Sequence, residues 1–210
     1  MGDEVALLER WRAGDEVAGS ALLKLHLSTL SRFFRGKVDR AVLPDLIQKT
    51  MLGSVESRDR VPDGLEFRAY LLGIARRVLA QHYREHQRSA RGHDALRDVE
   101  EVRPRQRSPS SVFGAHAEQR LLLRSLRKLD LELQMVLELY YWEELRTDEI
   151  GHVLDVPRGT VKSRLRRARE ALRKSIESVG ANPSLTESTV GDMDRWARSM
   201  RRLILDGEGT

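Results

Sequence analysis

Between Leu145 and Arg173 the chain reads LRTDEIGHVLDVPRGTVKSRLRRAREALR, two stretches of helical spacing interrupted by Asp155-Val156-Pro157. In the first stretch Ile150, Val153 and Leu154 recur as one helix face, with Thr147 a suitable N-cap. Gly151 leaves room for a close crossing, and Pro157 can open the next helix, because a first turn leaves its N–H groups unbonded anyway. In the second stretch Val161, Leu165, Ala168 and Leu172 follow i, i+4, i+7, i+11 and turn toward a core. Two amphipathic helices joined by so short a turn predict a helix-turn-helix. The opposite face falls to Gly159, Lys162, Ser163, Arg166 and Arg167. Lys and Arg suit guanine edges and phosphates, and Ser suits either base or backbone, so this face fits a DNA major groove. Arg158, Arg164, Arg169, Arg173 and Lys174 fall on the flanks, where phosphate contact is expected. From Arg158 to Lys174 there are eight basic residues against Glu170 alone. Charge of this kind often marks nothing more than a solvated helix. The turn and the spacing in front of it favour a reader of DNA.

The rest of the 210-residue chain is almost free of strand signals. Helical spacing predicts helices at about 4–12, 17–35, 43–57, 66–88, 116–129, 131–142, 147–154, 158–177 and 192–204. Ser89 to Ser111 breaks the pattern: it holds two prolines, the acidic cluster Asp98, Glu100 and Glu101, and then alternating arginines. The expected architecture is therefore all-α, with two small helical domains at 1–88 and 115–178. A flexible linker (89–114) joins them, and a tail (179–210) carries a short amphipathic helix. Aromatics at 5% against 33% charged residues suit small helical domains. The net charge of +5 is modest, so its clustering matters more than its size. With no cysteine there is no disulfide framework and no thiolate metal site. The acidic start MGDEVALLERWRAGDE lacks a basic and then apolar leader, and no apolar run reaches the ~20 residues of a bilayer span. A cytoplasmic protein without membrane insertion is expected.

FRAYLLGIARRVLAQHYREHQR (67–88) places Phe67, Leu71, Ile74, Val78 and Leu79 on one side, with arginines largely elsewhere. A basic rim with Phe67, Tyr70 and Tyr83 nearby suits a nucleic-acid strand, although an ordinary amphipathic helix would look the same. His82 and His86 stand at i, i+4, a metal-pair spacing, but no third ligand accompanies them, and a surface pair fits better. Acidic residues are scattered among arginines without a pattern for acid/base work, and no phosphate-binding glycine loop is present. No enzyme and no cofactor is expected. In the tail, Met193, Trp196, Ala197, Met200 and Ile204 share a face that would pack on the C-terminal domain or dock a regulator.

DEIGHVLDVPRGTVKSRLRRAREALR resembles region 4 of bacterial RNA polymerase sigma factors of the extracytoplasmic-function (ECF) group, in the sigma-70 family. PDLIQKTMLGSV (44–55) resembles region 2.2 of the same group, and FRAYLLGIARR is similar to regions 2.3 and 2.4. The resemblance implies a sigma factor that binds core RNA polymerase and directs promoter-specific initiation, with an anti-sigma factor as a candidate regulator. It implies −35 contacts at Arg158, Lys162, Ser163, Arg166 and Arg167, and −10 contacts at Arg68, Tyr70, Arg76, Arg77 and Arg84. Core polymerase would be met at Asp45, Gln48 and Thr50. The loop 57–66 lies where family members hold a flipped-out promoter base. This chain departs from the usual pattern at Tyr70 (usually Trp), Arg77 (usually Asn), Gln81 (usually Asp), Lys49 (commonly an acid) and His152 (usually small). The other reading is a helix-turn-helix regulator that never serves as a polymerase subunit, for which the DLIQKT segment has no use.

Overall fold

The computed structural model describes residues 2–93 and 117–179. Their helices are α1 Gly2–Arg12, α2 Glu16–Leu25, α3 Leu27–Phe34, α4 Leu43–Glu56, α5 Phe67–His93, α6 Ala117–Leu126, α7 Leu131–Tyr141, α8 Thr147–Leu154 and α9 Arg158–Val179. Among the described residues there is no strand, only an isolated bridge between Arg35 and Val38. The chain divides into two compact units, the first holding α1–α5 and the second built on α6, α7 and α9. The expected linker lies outside the described residues from residue 94 onward, as does the tail from residue 180. Residues 89–93 continue α5. Apolar spacing reports a buried face and stops where burial stops; a helix can run on past it.

In the first unit α1 and α2 pack closely, as do α4 and α5, with α3 against both of the latter. Trp11 is fully buried and meets the Phe67 ring edge-on at 6.0 Å. The crossing of α1 and α2 depends on Gly19, where a Cβ would lie 2.3 Å from the Trp11 indole nitrogen. Asp15 caps α2 by accepting the N–H groups of Val17 and Ala18, both at 3.0 Å. The helix expected at 17–35 is broken at His26, whose φ of −105° and ψ of 5° redirect the chain. His26 is buried, 5.6 Å from the Phe67 ring and 3.5 Å from Glu4. Both halves bury the same side, which is why the apolar spacing passes straight through the break.

In the second unit Val161, Leu165, Ala168, Leu172 and Ile176 are all buried where α9 packs on α6 and α7. The turn between α8 and α9 is as tight as expected. Asp155 takes a left-handed φ of 55°, and the Val156 N–H reaches back to Gly151 O at 2.9 Å. A Cβ at Gly151 would stand 2.8 Å from Val156 O, so the glycine makes room for the turn's own backbone. Thr147 is not the cap of α8. Arg146 holds that position, its C=O accepting the Ile150 N–H at 2.9 Å and its N–H donating to Glu149 Oε2 at 2.8 Å. The buried Glu149 thereby satisfies the helix start from its third position.

Replacing Gly19 with Ala forces Trp11 out of its site. The expected loss is about 1–3 kcal/mol of stability, read as a lower denaturation midpoint with an unchanged m-value. The same substitution at the open, exposed Gly159 should not destabilise.

Candidate nucleic-acid interface

The outward face of α9 follows from its inward one. With the apolar edge fixed on α6 and α7, Gly159, Lys162, Ser163, Arg166 and Arg167 are all exposed. Lys162 and Arg167 make no hydrogen bond or ion pair among the described residues, and Arg166 has only a longer-range attraction to Glu170. Ser163 Oγ donates to Thr160 O at 2.9 Å, which leaves its lone pairs outward. The first turn of α9 carries no acidic residue, and nothing lies within 4 Å of the position a Cβ would take at Gly159. An anion can therefore reach the N–H groups there beside Arg158. Arg158 itself donates to Thr147 Oγ1 at 3.0 Å, spanning the turn while remaining exposed.

Four residues expected to flank this face as phosphate contacts are engaged within the protein. Arg164 pairs with Glu132 at 3.2 Å, Arg173 with Glu177 at 3.8 Å and Lys174 with Glu170 at 3.1 Å. Arg169 is half-buried: its Nε donates to Tyr141 Oη at 2.8 Å, and its guanidinium lies 5.4 and 5.5 Å from the Tyr140 and Tyr141 rings. Helical spacing places Arg169 seven residues after Lys162, nearly on the same side. The tyrosines at the end of α7 capture it, and nothing local in the sequence announces that contact.

On α5, Arg77 and Arg84 are exposed and Arg76 is half-buried, none with an ion pair among the described residues. Arg68 is paired with Glu66 at 3.2 Å. The aromatics expected to offer stacking surfaces do not. Phe67 is buried on Trp11, and half-buried Tyr83 donates to Lys37 O at 2.5 Å. Tyr70, expected at the −10 contact, is 7% exposed, and its hydroxyl donates to Ser57 O at 3.0 Å. Its role in this structure is to hold the start of the loop 57–66. The same loop is fastened from α1 by Arg12, which donates to Val61 O at 2.5 Å and Arg58 O at 3.4 Å. Arg58 lies over the Trp11 ring at 6.0 Å and near Glu16 at 3.5 Å. Within the loop, the Asp59 and Arg60 side chains point to solvent with no partner among the described residues.

On α4, Asp45, Gln48, Lys49, Leu52 and Val55 form an exposed stripe at helical spacing. Lys49 pairs with Asp45 at 2.9 Å, and that carboxylate holds its ammonium above the usual lysine range. Thr50, expected to meet a partner, is fully buried, and its hydroxyl donates to Leu46 O at 2.7 Å. Leu52 and Val55, exposed by 57% and 37%, take its place on the surface. Sequence reasoning passed over both because an apolar residue on an amphipathic helix is expected to face inward.

The fold and these surfaces define a protein with exposed basic faces on two helical units and, on the first, an exposed α4 stripe that mixes polar and apolar side chains. Residues 21–89 match the family model for sigma-70 region 2, and residues 125–174 match that for sigma-70 region 4. The chain is 29% identical over 175 residues to the ECF RNA polymerase sigma factor SigL of Mycobacterium tuberculosis, covering 80% of this chain and 96% of that protein. It is 33% identical over 137 residues to the RNA polymerase sigma-E factor of Streptomyces avermitilis, covering 64% of this chain and 70% of that protein. Among solved structures, CnrH in complex with the cytosolic domain of CnrY shares the fold with a TM-score of 0.60 at 20% identity, covering 85% of this chain and 99% of that one. The sigma factor RpoE from Bartonella quintana, in complex with the anti-sigma factor NepR, does so at 0.61 and 22%, covering 75% and 96%. The chain belongs to the sigma-70 family of RNA polymerase sigma factors, in the ECF group.

His82 and His86 lie on α5 with ring centroids 4.2 Å apart, and among the described residues no third ligating side chain joins them. Burial, and then the neighbouring His86, hold the His82 imidazole below its usual range. The unfolded chain takes up this proton near pH ~6.5, where the folded chain still resists it. Folding stability contributed by this group is therefore complete above that pH and is lost as pH falls through the lower, folded value. Denaturation midpoints should drop between pH 7.5 and 5.5, and His82→Gln should remove part of that drop. An identical pH dependence in the variant would show that His82 is not responsible.

Proposed function

We propose that the protein binds core RNA polymerase and directs it to specific promoters, supplying recognition and duplex opening while the polymerase performs the chemistry. It needs no cofactor of its own. The observation that carries this reading is the coexistence of two kinds of surface. The outward face of α9, with Lys162, Ser163, Arg166 and Arg167 beside Arg158, is suited to the major groove of the −35 element. The α4 stripe of Asp45, Gln48, Leu52 and Val55 is suited to a protein partner, which we assign as core polymerase. A regulator that only binds DNA has no use for the second surface.

Arg76, Arg77 and Arg84 on α5, with Arg68 at its start, face the −10 region in this reading. Their contribution is largely phosphate attraction and is therefore salt-sensitive. Thr50 and Tyr70 act from inside, Thr50 by closing a turn of α4 and Tyr70 by holding the loop that meets the opened strand. An anti-sigma factor is the second protein partner we assign, by likeness to the sigma factor RpoE solved with NepR.

Two variants separate the two surfaces. Arg166→Ala with Arg167→Ala should reduce retention of promoter duplex by the reconstituted holoenzyme at least tenfold while leaving capture of core polymerase unchanged. Leu52→Asp should abolish capture of core while the variant retains its wild-type melting temperature. Loss of core capture by the arginine double variant, or wild-type core capture by Leu52→Asp, would overturn the assignment of separate surfaces.

A further inference from the structure

Two arginines of α9 are engaged by side chains of α7. Arg164 pairs with Glu132 at 3.2 Å, at the start of α7, and Arg169 takes Tyr140 and Tyr141 at its end. They leave α9 on opposite sides of its apolar edge. At 100° per residue Arg164 lies ~40° beyond Ala168, and Arg169 lies ~40° beyond Leu165 on the other side. The two contacts therefore bracket the rotation of α9 about its own axis. Glu132 is 68% exposed, so the Arg164 pair is a weak, solvent-screened brace. The Arg169 contact is the firm one. It combines a hydrogen bond at 2.8 Å with two ring faces, and the rings themselves meet at right angles with centroids 4.9 Å apart.

We propose that Arg169, seated on Tyr140 and Tyr141, is a positioning residue that sets the rotation of the recognition helix and does not itself bind phosphate. The apolar edge alone leaves this rotation soft, because Val161, Leu165, Ala168 and Leu172 are smooth side chains on a curved surface. A rotation of about 20° carries a group ~5 Å from the helix axis through ~2 Å. That displacement exceeds what a hydrogen bond to a base edge tolerates. Contacts to phosphates, which are flexible point-charge attractions, survive it. Loss of the Arg169 brace should therefore cost sequence discrimination more than it costs general affinity for DNA. The inference rests on the reading of α9 as the −35 reader and adds to it the device that aims the helix.

The experiment uses the full chain assembled with core polymerase. The probes are a duplex selected from a random library and the same duplex with its upstream element shuffled, both measured across a potassium chloride series. Arg169→Gln should lower the ratio of selected to shuffled affinity roughly tenfold, with an unchanged slope of log affinity against log salt. Tyr141→Phe, which keeps the ring and loses the hydroxyl, should lower the ratio less. Arg169→Lys should fail to restore it, since an ammonium lacks the planar fork. If Arg169 binds phosphate, the Gln variant will instead lose about 0.9 of salt slope with its ratio intact, and the proposal is wrong. A lowered melting temperature with ratio and slope both unchanged would reduce Arg169 to a packing role, also against the proposal. Should the wild-type holoenzyme not distinguish the two duplexes at all, the −35 reading falls and this inference with it.

Discussion

The apolar edge of α9 is the constraint on which the DNA-facing half of the molecule depends. Val161, Leu165, Ala168, Leu172 and Ile176 are buried against α6 and α7, and once they are, every other residue of the helix falls to a definite side of it. Lys162, Arg166 and Arg167 go outward because they cannot go inward. Five buried side chains, at about 1.5–3 kcal/mol for each of the larger ones, hold this division against the repulsion of eight basic groups on one helix. The turn from Asp155 to Pro157 transmits the constraint to α8, and Gly151 is the residue that lets the turn close. The same burial makes the charge run discriminating, since it separates residues that can meet DNA from those that brace the helix.

A comparable division of labour is found in the first unit. Side chains from α1 and α5 converge on the loop 57–66: Arg12 on the carbonyls of Arg58 and Val61, Tyr70 on that of Ser57. The loop's outward groups, Asp59 and Arg60, are carried on a backbone that is tied at both ends. The tyrosine stands where the resemblance leads one to expect tryptophan. Its hydroxyl anchors the Ser57 carbonyl, so the departure from the usual pattern has a local structural use.

Much of this was legible in the sequence, and the limits have physical causes. Helical spacing located the helices, because burying one face of a helix imposes a period that survives in the residue order. The exposure of Lys162, Ser163, Arg166 and Arg167 followed from the same period. The break at His26 did not, since both halves of the broken helix bury the same side. Thr50 and Tyr70 were expected outside and lie inside, because a small hydroxyl or a phenol is satisfied equally well by a backbone carbonyl and by a partner. Arg164 and Arg169 were expected at phosphates; their partners, Glu132, Tyr140 and Tyr141, are distant in sequence and come together only through packing. Leu52 and Val55 were passed over for the opposite reason, being apolar yet exposed. The linker beyond residue 93 and the tail from residue 180 lie outside the described residues.

As a sigma factor, the protein should convert core RNA polymerase into an initiating enzyme. Run-off transcription tests this most directly, using purified core polymerase, this protein and linear templates carrying genomic fragments selected by the reconstituted holoenzyme. Discrete transcripts of defined length should appear that require both the protein and the selected fragment, and that fade as salt is raised. Tight binding of the protein to those duplexes, with no transcript at any ratio of protein to core, would contradict this.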